Sequence, residues 1–327
     1  MIGRRPLDRL IVAATAAGLV ATAASFFGRA HWLLELLTHF RMHFALGLIL
    51  LLLLALARRR FAAAIVAAAL AAANLSPMAP YVAPGSPQAE ASPAGIRVMA
   101  ANLNLHNSDY VALRSAIRQE NPDVVGLMEV TRKWADELSS IRSEYPFTVL
   151  RPEEGAYGLA LFSRVPMQEI RSSPYLEQGI QTAISVDVEL GQKAVTIVLA
   201  HFRAPTSPRN AEIRNLQIDR ITEMIRSDRN EEQILIGDLN TTPWSPYYLP
   251  LETEANLVNA ARGRGYRATW PVGFGLLKIP IDHCLVSTGL RVRQMRTGAD
   301  IGSDHYPIVV DIAFADASEP VELRTVR

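Results

Sequence analysis

Seven short apolar runs between residues 96 and 312 begin or end at polar residues, most of which can hold a metal ion, a proton or a phosphate. "IRVMAA" (96–101) stops at Asn102 and "VVGLM" (124–128) stops at Glu129. "YGLALF" (157–162) stops at Ser163 and Arg164, and "VTIVLA" (195–200) at His201. "ILI" (234–236) runs through Gly237 into Asp238 and Asn240. The run 281–286 carries Asp282 near its start, and 308–312 follows Ser303, Asp304 and His305. Taken singly, an Asn or Asp after a strand is an ordinary turn residue. Taken together, Asn102, Glu129, His201, Asp238, Asn240, Asp282, Asp304 and His305 put carboxylates, amides and imidazoles at one kind of place. That inventory, free of cysteine, suits hard cations and phosphate rather than zinc thiolates. The patterns of P-loops, nucleophile elbows and zincins are absent, which removes those chemistries from consideration.

To bring such residues together, the runs must be strands that end on one edge. A helix is expected over 108–120, with Ser108 as N-cap, Leu113, Ala116 and Ile117 as its apolar stripe, and Asn121-Pro122 as its stop. A second is expected from about Pro208 to Arg226, with Ile213, Leu216, Ile221, Met224 and Ile225 forming its apolar face and Ile218 less well placed. Val- and Ile-rich strands between helices argue an α/β domain whose sheet is covered on both sides. The 232 residues after 95 are enough for one large core.

The chain's net charge of +1 hides an asymmetry. Residues 1–95 hold eight Arg against Asp8, Glu35 and Glu90, whereas the remainder is acidic, at −4. The single cysteine, Cys284, excludes an internal disulfide. Residues 10–27, 42–57 and 61–75 form three apolar segments, expected as membrane helices of an N-terminal region 1–75. Arg4 and Arg5 before an apolar run also fit a signal peptide, but two further apolar segments follow at once. Arg4, Arg5 and Arg9 precede the first segment and Arg58, Arg59 and Arg60 separate the second from the third. The arginine rule therefore expects a multi-pass protein of a bacterial-type cytoplasmic membrane, with both clusters inside and everything after the third segment outside. "HWLLELLTHF" (31–40) is expected to lie flat on the outer surface. Residues 76–95, rich in Pro and Ala, read as an extended linker, 96–314 as the soluble domain and 315–327 as a tail.

In order along the chain, "MAANLN", "GLMEV", "YGLALFSR", "LAHFRAP", "GDLNTTP", "IDHCLVS" and "GSDHYPI" resemble the endonuclease/exonuclease/phosphatase superfamily, across roughly 96–314. With "PTSPRN", "TPWSP" and "TWP", the membrane-anchored arrangement looks like a bacterial subgroup that includes a protein associated with teicoplanin resistance. The resemblance implies a four-layer α/β sandwich, two packed mixed sheets flanked by helices. It implies a metal-dependent hydrolase of phosphate esters using Mg²⁺, with Mn²⁺ as a substitute. Glu129 matches the main metal ligand, with Asn102 and Asp304 supporting the same ion. Asp238 would orient or deprotonate the attacking water and Asn240 would donate to a phosphate oxygen. Asp282 would fix His305, and His305 and His201 would bind phosphate or move a proton. His283 reads as structural, and Arg203, Arg209 and Arg214 as surface residues rather than anion binders. "GFGLLKIP" (273–280), with Trp244 and Trp270, would be either an apolar rim or plain turn and core.

Three functional readings follow. Anchoring fits a phosphoesterase acting on a phosphodiester, a phosphomonoester or a lipid-linked pyrophosphate. A nuclease needs cationic surface to neutralise phosphates, which a net −4 disfavours. A non-catalytic phosphate-binding module would have lost a ligand, and all eight positions are intact.

Overall fold

The computed structural model describes residues 4–82, 95–174 and 181–315, with side chains absent from the description at 4–5, 172–174 and 181–182. Most of the expected linker and all but the first residue of the expected tail fall outside these residues. The chain divides into two compact units, Met1–Ala83 with Thr241–Leu249, and Pro84–Asn240 with Pro250–Arg327.

In the first unit, α1 (Arg4–Ser25), α2 (Trp32–His39), α3 (Arg41–Ala57) and α4 (Phe61–Leu75) follow one another. Residues 76–82, expected as the start of an extended linker, are instead helical, as a 3₁₀ turn at Ser76–Met78 and α5 (Ala79–Val82). Pro77 sits at the start of its turn, where its missing N–H costs nothing, and Met78 and Tyr81 are buried. Pro6–Ser25 and Phe61–Val82 are each long and apolar enough to cross a membrane. α2 and α3, bent by 64° at their junction, pass the same test only as a pair.

Asp8 near the start of α1 accepts from Arg58 Nε at 3.0 Å and from Arg60 Nη2 at 2.6 Å, beyond the end of α3. At the other end of the same helices, Asn74 donates to Thr22 Oγ1 at 2.8 Å and Arg41 to the Ser25 carbonyl at 3.3 Å. Arg58 and Arg60 thus share one end of the unit with the start of α1.

Among the described residues of the second unit, two six-stranded sheets form. The first runs β11 (Leu290–Thr297), β12 (Ile308–Phe314), β1 (Gly95–Asn102), β2 (Val124–Met128), β4 (Leu159–Ser163), β3 (Phe147–Arg151). The second runs β5 (Met167–Pro174), β6 (Gln181–Leu190), β7 (Lys193–His201), β8 (Glu232–Asp238), β10 (Asp282–Ser287), β9 (Leu257–Asn259). Both are mixed: β1 pairs in parallel with β2, β7 with β8, and the other neighbours are antiparallel. The sheets pack face to face closely enough that a Cβ on Gly126 of β2 would meet Leu199 Cδ1 of β7 at 2.7 Å.

The flanking helices are α6 (Tyr110–Glu120), α7 (Arg132–Glu137), α8 (Pro208–Ser227) and the short α9 (Leu249–Thr253). α6 is capped by Asp109, which accepts from Ala112 N, rather than by Ser108. Its Leu113, Ala116 and Ile117 join Met99, Val125, Trp134 and Phe162 in one core. The buried face of α8 differs from the expected one. It runs Ala211, Arg214, Ile218, Ile221, Ile225, with Ile218 fully buried and Leu216 42% exposed. An arginine in the buried stripe hides its period.

Gly237, in β8 just before Asp238, has φ +143°, and a Cβ there would lie 1.9 Å from the Ala200 carbonyl oxygen of β7. Backbone cannot yield as a side-chain tip can, so Gly237→Ala is expected to cost roughly 3 kcal/mol or more. Thermal unfolding of the variant checks this.

Candidate active site

The topology explains why the polar strand ends converge. β1, β2, β7 and β8 are paired in parallel two by two, so Asn102, Glu129, His201 and Asp238 leave the C-terminal ends of the central strands. β10 is antiparallel to β8 with Asp282 opposite Asp238. β12 is antiparallel to β1, with its first residue Ile308 opposite Ala100, so Ser303–His305 reaches the same edge. Across the sandwich, the Asp238 amide N–H meets Met128 Sδ at 3.0 Å.

Asn102 Nδ2 bridges two carboxylates, donating to Glu129 Oε1 and to Asp238 Oδ2 at 3.1 Å each. Glu129 Oε2 accepts from the Leu105 amide at 2.7 Å. Asp238 Oδ1 accepts from the Asn240 amide at 2.9 Å and its Oδ2 from Asn240 Nδ2 at 3.2 Å. His305 Nδ1 pairs with Asp282 Oδ2 at 2.9 Å, which leaves Nε2 facing Asp238 Oδ2 at 3.8 Å. His201 Nε2 stands 3.6 Å from Asp238 Oδ2 and 4.0 Å from Glu129 Oε1. Asn102, His201, Asp238, Asp282 and His305 are all buried. Glu129 and Asn240 hold left-handed φ values of +60° and +46°. For residues other than Gly such φ values are uncommon and cost energy, and they persist where surrounding contacts over-determine the backbone.

Burial, with Asp282 close by, pushes the Asp238 carboxyl up to about 7, against the opposing pull of His305. Burial alone would depress His305, but Asp282 and Asp238 raise it to about 10. Burial likewise works against ionised Asp282, yet His305 holds its pKa below the usual carboxylate range. Burial lowers His201. The two imidazoles are therefore driven in opposite directions, one toward the charged form and one toward the neutral form.

Asp304, the remaining expected ligand, is held on both of its oxygens. Its Oδ1 accepts from Asn104 Nδ2 at 2.7 Å and its Oδ2 from Trp270 Nε1 at 2.9 Å. His283 is buried and lies 3.3 Å from Asn259 Nδ2, in keeping with a structural role. Arg214, read as a surface residue, is fully buried and donates to the Asn240 carbonyl at 3.0 Å. Trp244 belongs to the helical unit, edge-on to Tyr81 with ring centroids 6.1 Å apart.

Several supporting residues carry no role in the reading of the sequence although they sit inside its motifs. Thr269 Oγ1 accepts from the Asp282 amide at 3.3 Å. Ser303 Oγ donates to the Asn102 carbonyl at 2.7 Å and accepts from the His305 amide at 3.1 Å. Tyr157 packs near His201, ring centroids 6.0 Å apart, with the Arg203 guanidinium 4.8 Å above its ring. "TWP", "GSDH" and "YGLALF" carry them.

The sequence pattern of the Endonuclease/Exonuclease/phosphatase family matches residues 99–305, which spans every one of these groups. The chain belongs to the endonuclease/exonuclease/phosphatase family. Members of this family hydrolyse phosphate ester bonds with the help of a metal ion, and the chain is a hydrolase of that class. No curated protein matches it in sequence.

Solved structures share the family fold. Humanized D. rerio TDP2 aligns with a TM-score of 0.58 at 16% identity, over 67% of this chain and 99% of that one. An endonuclease/exonuclease/phosphatase from Beutenbergia cavernae aligns at 0.55 and 23%, over 68% and 72%. The human Nocturnin catalytic domain, with bound sulfate, aligns at 0.54 and 19%, over 68% and 95%.

The family's need for a metal fits the donors present. Asp238, Asp282 and His305 each offer a ligand atom within 4.8 Å of the others, all buried. Beside them stand the oxygen donors of Glu129 and Asp238, bridged by the Asn102 amide. Two carboxylates sharing one neutral donor in a buried site call for positive charge.

Proposed function

We propose that the protein is a membrane-anchored phosphoesterase that uses Mg²⁺ or Mn²⁺ to direct water at a phosphodiester, a phosphomonoester or a lipid-linked pyrophosphate outside the cytoplasm. The observation that carries the reading is the convergence of Asn102, Glu129, His201, Asp238, Asn240, Asp282 and His305 within hydrogen-bonding or ion-pair range of their neighbours.

Glu129, with Asn102 and Asp304 in support, would hold the metal ion, which would supply Lewis-acid polarisation of a phosphoryl oxygen. The chain's own groups do the rest. Asp238 accepts a hydrogen bond from the attacking water and orients it, where placement matters more than basicity. Asn240, whose Nδ2 hydrogens go to the Phe202 carbonyl and Asp238 Oδ2, would reach a phosphate oxygen by exchanging the longer bond, at 3.2 Å. Asp282 holds His305 by Nδ1, so that Nε2 carries a proton toward charge building on the phosphate or the leaving oxygen. His201, kept toward the neutral form, lines the same wall and contacts phosphate through Nε2.

A lipid-linked substrate draws support from the segment between Trp270 and Ile279, which are joined by an isolated bridge. Phe274, Leu276 and Leu277 there are 64%, 85% and 56% exposed, so this is not core packing. The segment starts at the site, since Trp270 Nε1 holds Asp304 Oδ2 and the Val272 amide donates to the Asp304 carbonyl at 2.8 Å. Placing outward the end of the helical unit opposite Arg58 and Arg60 follows the arginine rule. The anchored bacterial subgroup suggested by "TPWSP" and "TWP" agrees with this reading.

One experiment separates the substrates. Full-length protein is assayed with Mg²⁺ against a polyprenyl pyrophosphate, a sphingomyelin-like diester, single-stranded DNA and a small chromogenic phosphodiester. Replacing Phe274, Leu276 and Leu277 together by Ser is expected to raise KM for the lipid roughly tenfold or more, by removing apolar contact area. KM for the chromogenic ester should stay unchanged. Preferential cleavage of DNA would place the protein instead with TDP2, which has been seen with a single-strand DNA product.

A further inference from the structure

α2 is amphipathic, but its polar side is the buried one. Glu35 is 0% exposed, Thr38 1% and His39 4%, while Leu33 on the same helix is 51% exposed. Spaced i, i+3 and i+4, these polar residues form one stripe. That is the reverse of a helix lying with its polar face in water.

The stripe faces the segment Thr241–Leu249, which is part of the helical unit. Ser245 Oγ donates to Glu35 Oε1 at 2.7 Å. His39 Nδ1 meets Thr242 Oγ1 at 2.9 Å, and His39 Nε2 lies 3.7 Å from Glu35 Oε1. Thr38 Oγ1 closes the stripe by donating to the Glu35 carbonyl at 2.6 Å. Around it, Arg29 donates to the Pro246 carbonyl at 3.0 Å, and Gly28 leaves room for Pro246, whose Cγ would lie 3.2 Å from an added Cβ. A carboxylate fully out of water is costly unless paired, so a Glu on an otherwise apolar stretch of chain implies a dedicated partner.

Thr241 is bonded directly to Asn240. Asn240 holds φ +46°, a left-handed state that surrounding contacts must hold in place. On one side Arg214 grips its carbonyl and the Phe202 carbonyl accepts from its Nδ2 at 2.9 Å. We propose that Glu35 and His39 are positioning residues for the active site: by clamping Thr242 and Ser245 they fix the chain that leaves Asn240, so the helical unit is a working part of the phosphoesterase and not only its anchor. The inference rests on the proposed phosphoesterase reading for its kinetic consequence, but the clamp itself is readable without activity.

The test uses full-length protein with two readouts, hydrogen exchange of residues 241–249 and Mg²⁺-dependent hydrolysis of the chromogenic phosphodiester. Glu35→Ala, His39→Ala and, from the other side of the contact, Ser245→Ala are expected to speed exchange in 241–249. They should lower kcat roughly tenfold with little change in KM, and the Glu35→Ala/Ser245→Ala pair should be non-additive. Asn74→Ala, which cuts a contact between α4 and α1 elsewhere in the unit, should leave kcat as it is. Unchanged exchange in 241–249 in both Glu35→Ala and Ser245→Ala would overturn the clamp. Faster exchange with full kcat would overturn the positioning role. Wild-type protein inactive on every phosphate ester, yet showing the exchange changes, would instead count against the phosphoesterase reading.

Discussion

Asp238→Ala is expected to lower kcat at least a thousandfold, about 4 kcal/mol of barrier, while the protein stays folded. No other side chain in the site answers to as many neighbours. Asp238 accepts from Asn102, from the Asn240 amide and from Asn240 Nδ2, and it faces both His201 and His305. Its loss removes the group that orients water and releases both Asn side chains from their present geometry. Circular dichroism and thermal unfolding at wild-type levels, with hydrolysis of the chromogenic diester gone, is the pattern to expect. Retention of more than a tenth of wild-type kcat would mean that water is oriented elsewhere.

His305→Asn is expected to cost between a hundred- and ten-thousandfold in kcat, the usual range for a positioned acid or base. The pH profile distinguishes its role from a structural one. With Asp282 and Asp238 beside it, His305 is raised to about 10, so it is charged below that value and loses its proton as pH rises through it. Activity that depends on the imidazolium should therefore hold through neutral pH and fall on the alkaline side near 10. The residual activity of His305→Asn should lack that limb. Asp282→Asn, which still fills the space but no longer favours the charged ring, should move the limb to lower pH.

Much of the site was legible in the sequence because strand ends in a mixed sheet are a topological consequence, not a local one. Asn102, Glu129, His201 and Asp238 stand at the ends of apolar runs expected to be strands ending on one edge, and these strands pair in parallel, β1 with β2 and β7 with β8. Asp282 and His305 could be placed at the same edge only through the antiparallel partners β10 and β12. What stayed hidden has physical causes. The strands β3, β5, β9 and β11 are short or half-polar edges, whose patterns resemble loops. Arg214 interrupts the apolar period of α8 from inside the core. Residues 76–82 look like linker by their prolines but are tied down by Met78 and Tyr81. The contacts of "TPWSP" are not local, because the partners of Thr242 and Ser245, His39 and Glu35, lie about 200 residues earlier, in a stretch that reads as a surface helix.

The most direct test of the central claim is a metal titration of full-length protein hydrolysing a small phosphodiester, in wild type and Glu129→Ala. The full chain is required because Thr241–Leu249 belongs to the helical unit. Wild-type activity should vanish in EDTA and return with Mg²⁺ or Mn²⁺, and Glu129→Ala should need far more metal or stay inactive at any concentration. Hydrolysis that persists at full rate in EDTA and is unaffected by Glu129→Ala would contradict the account.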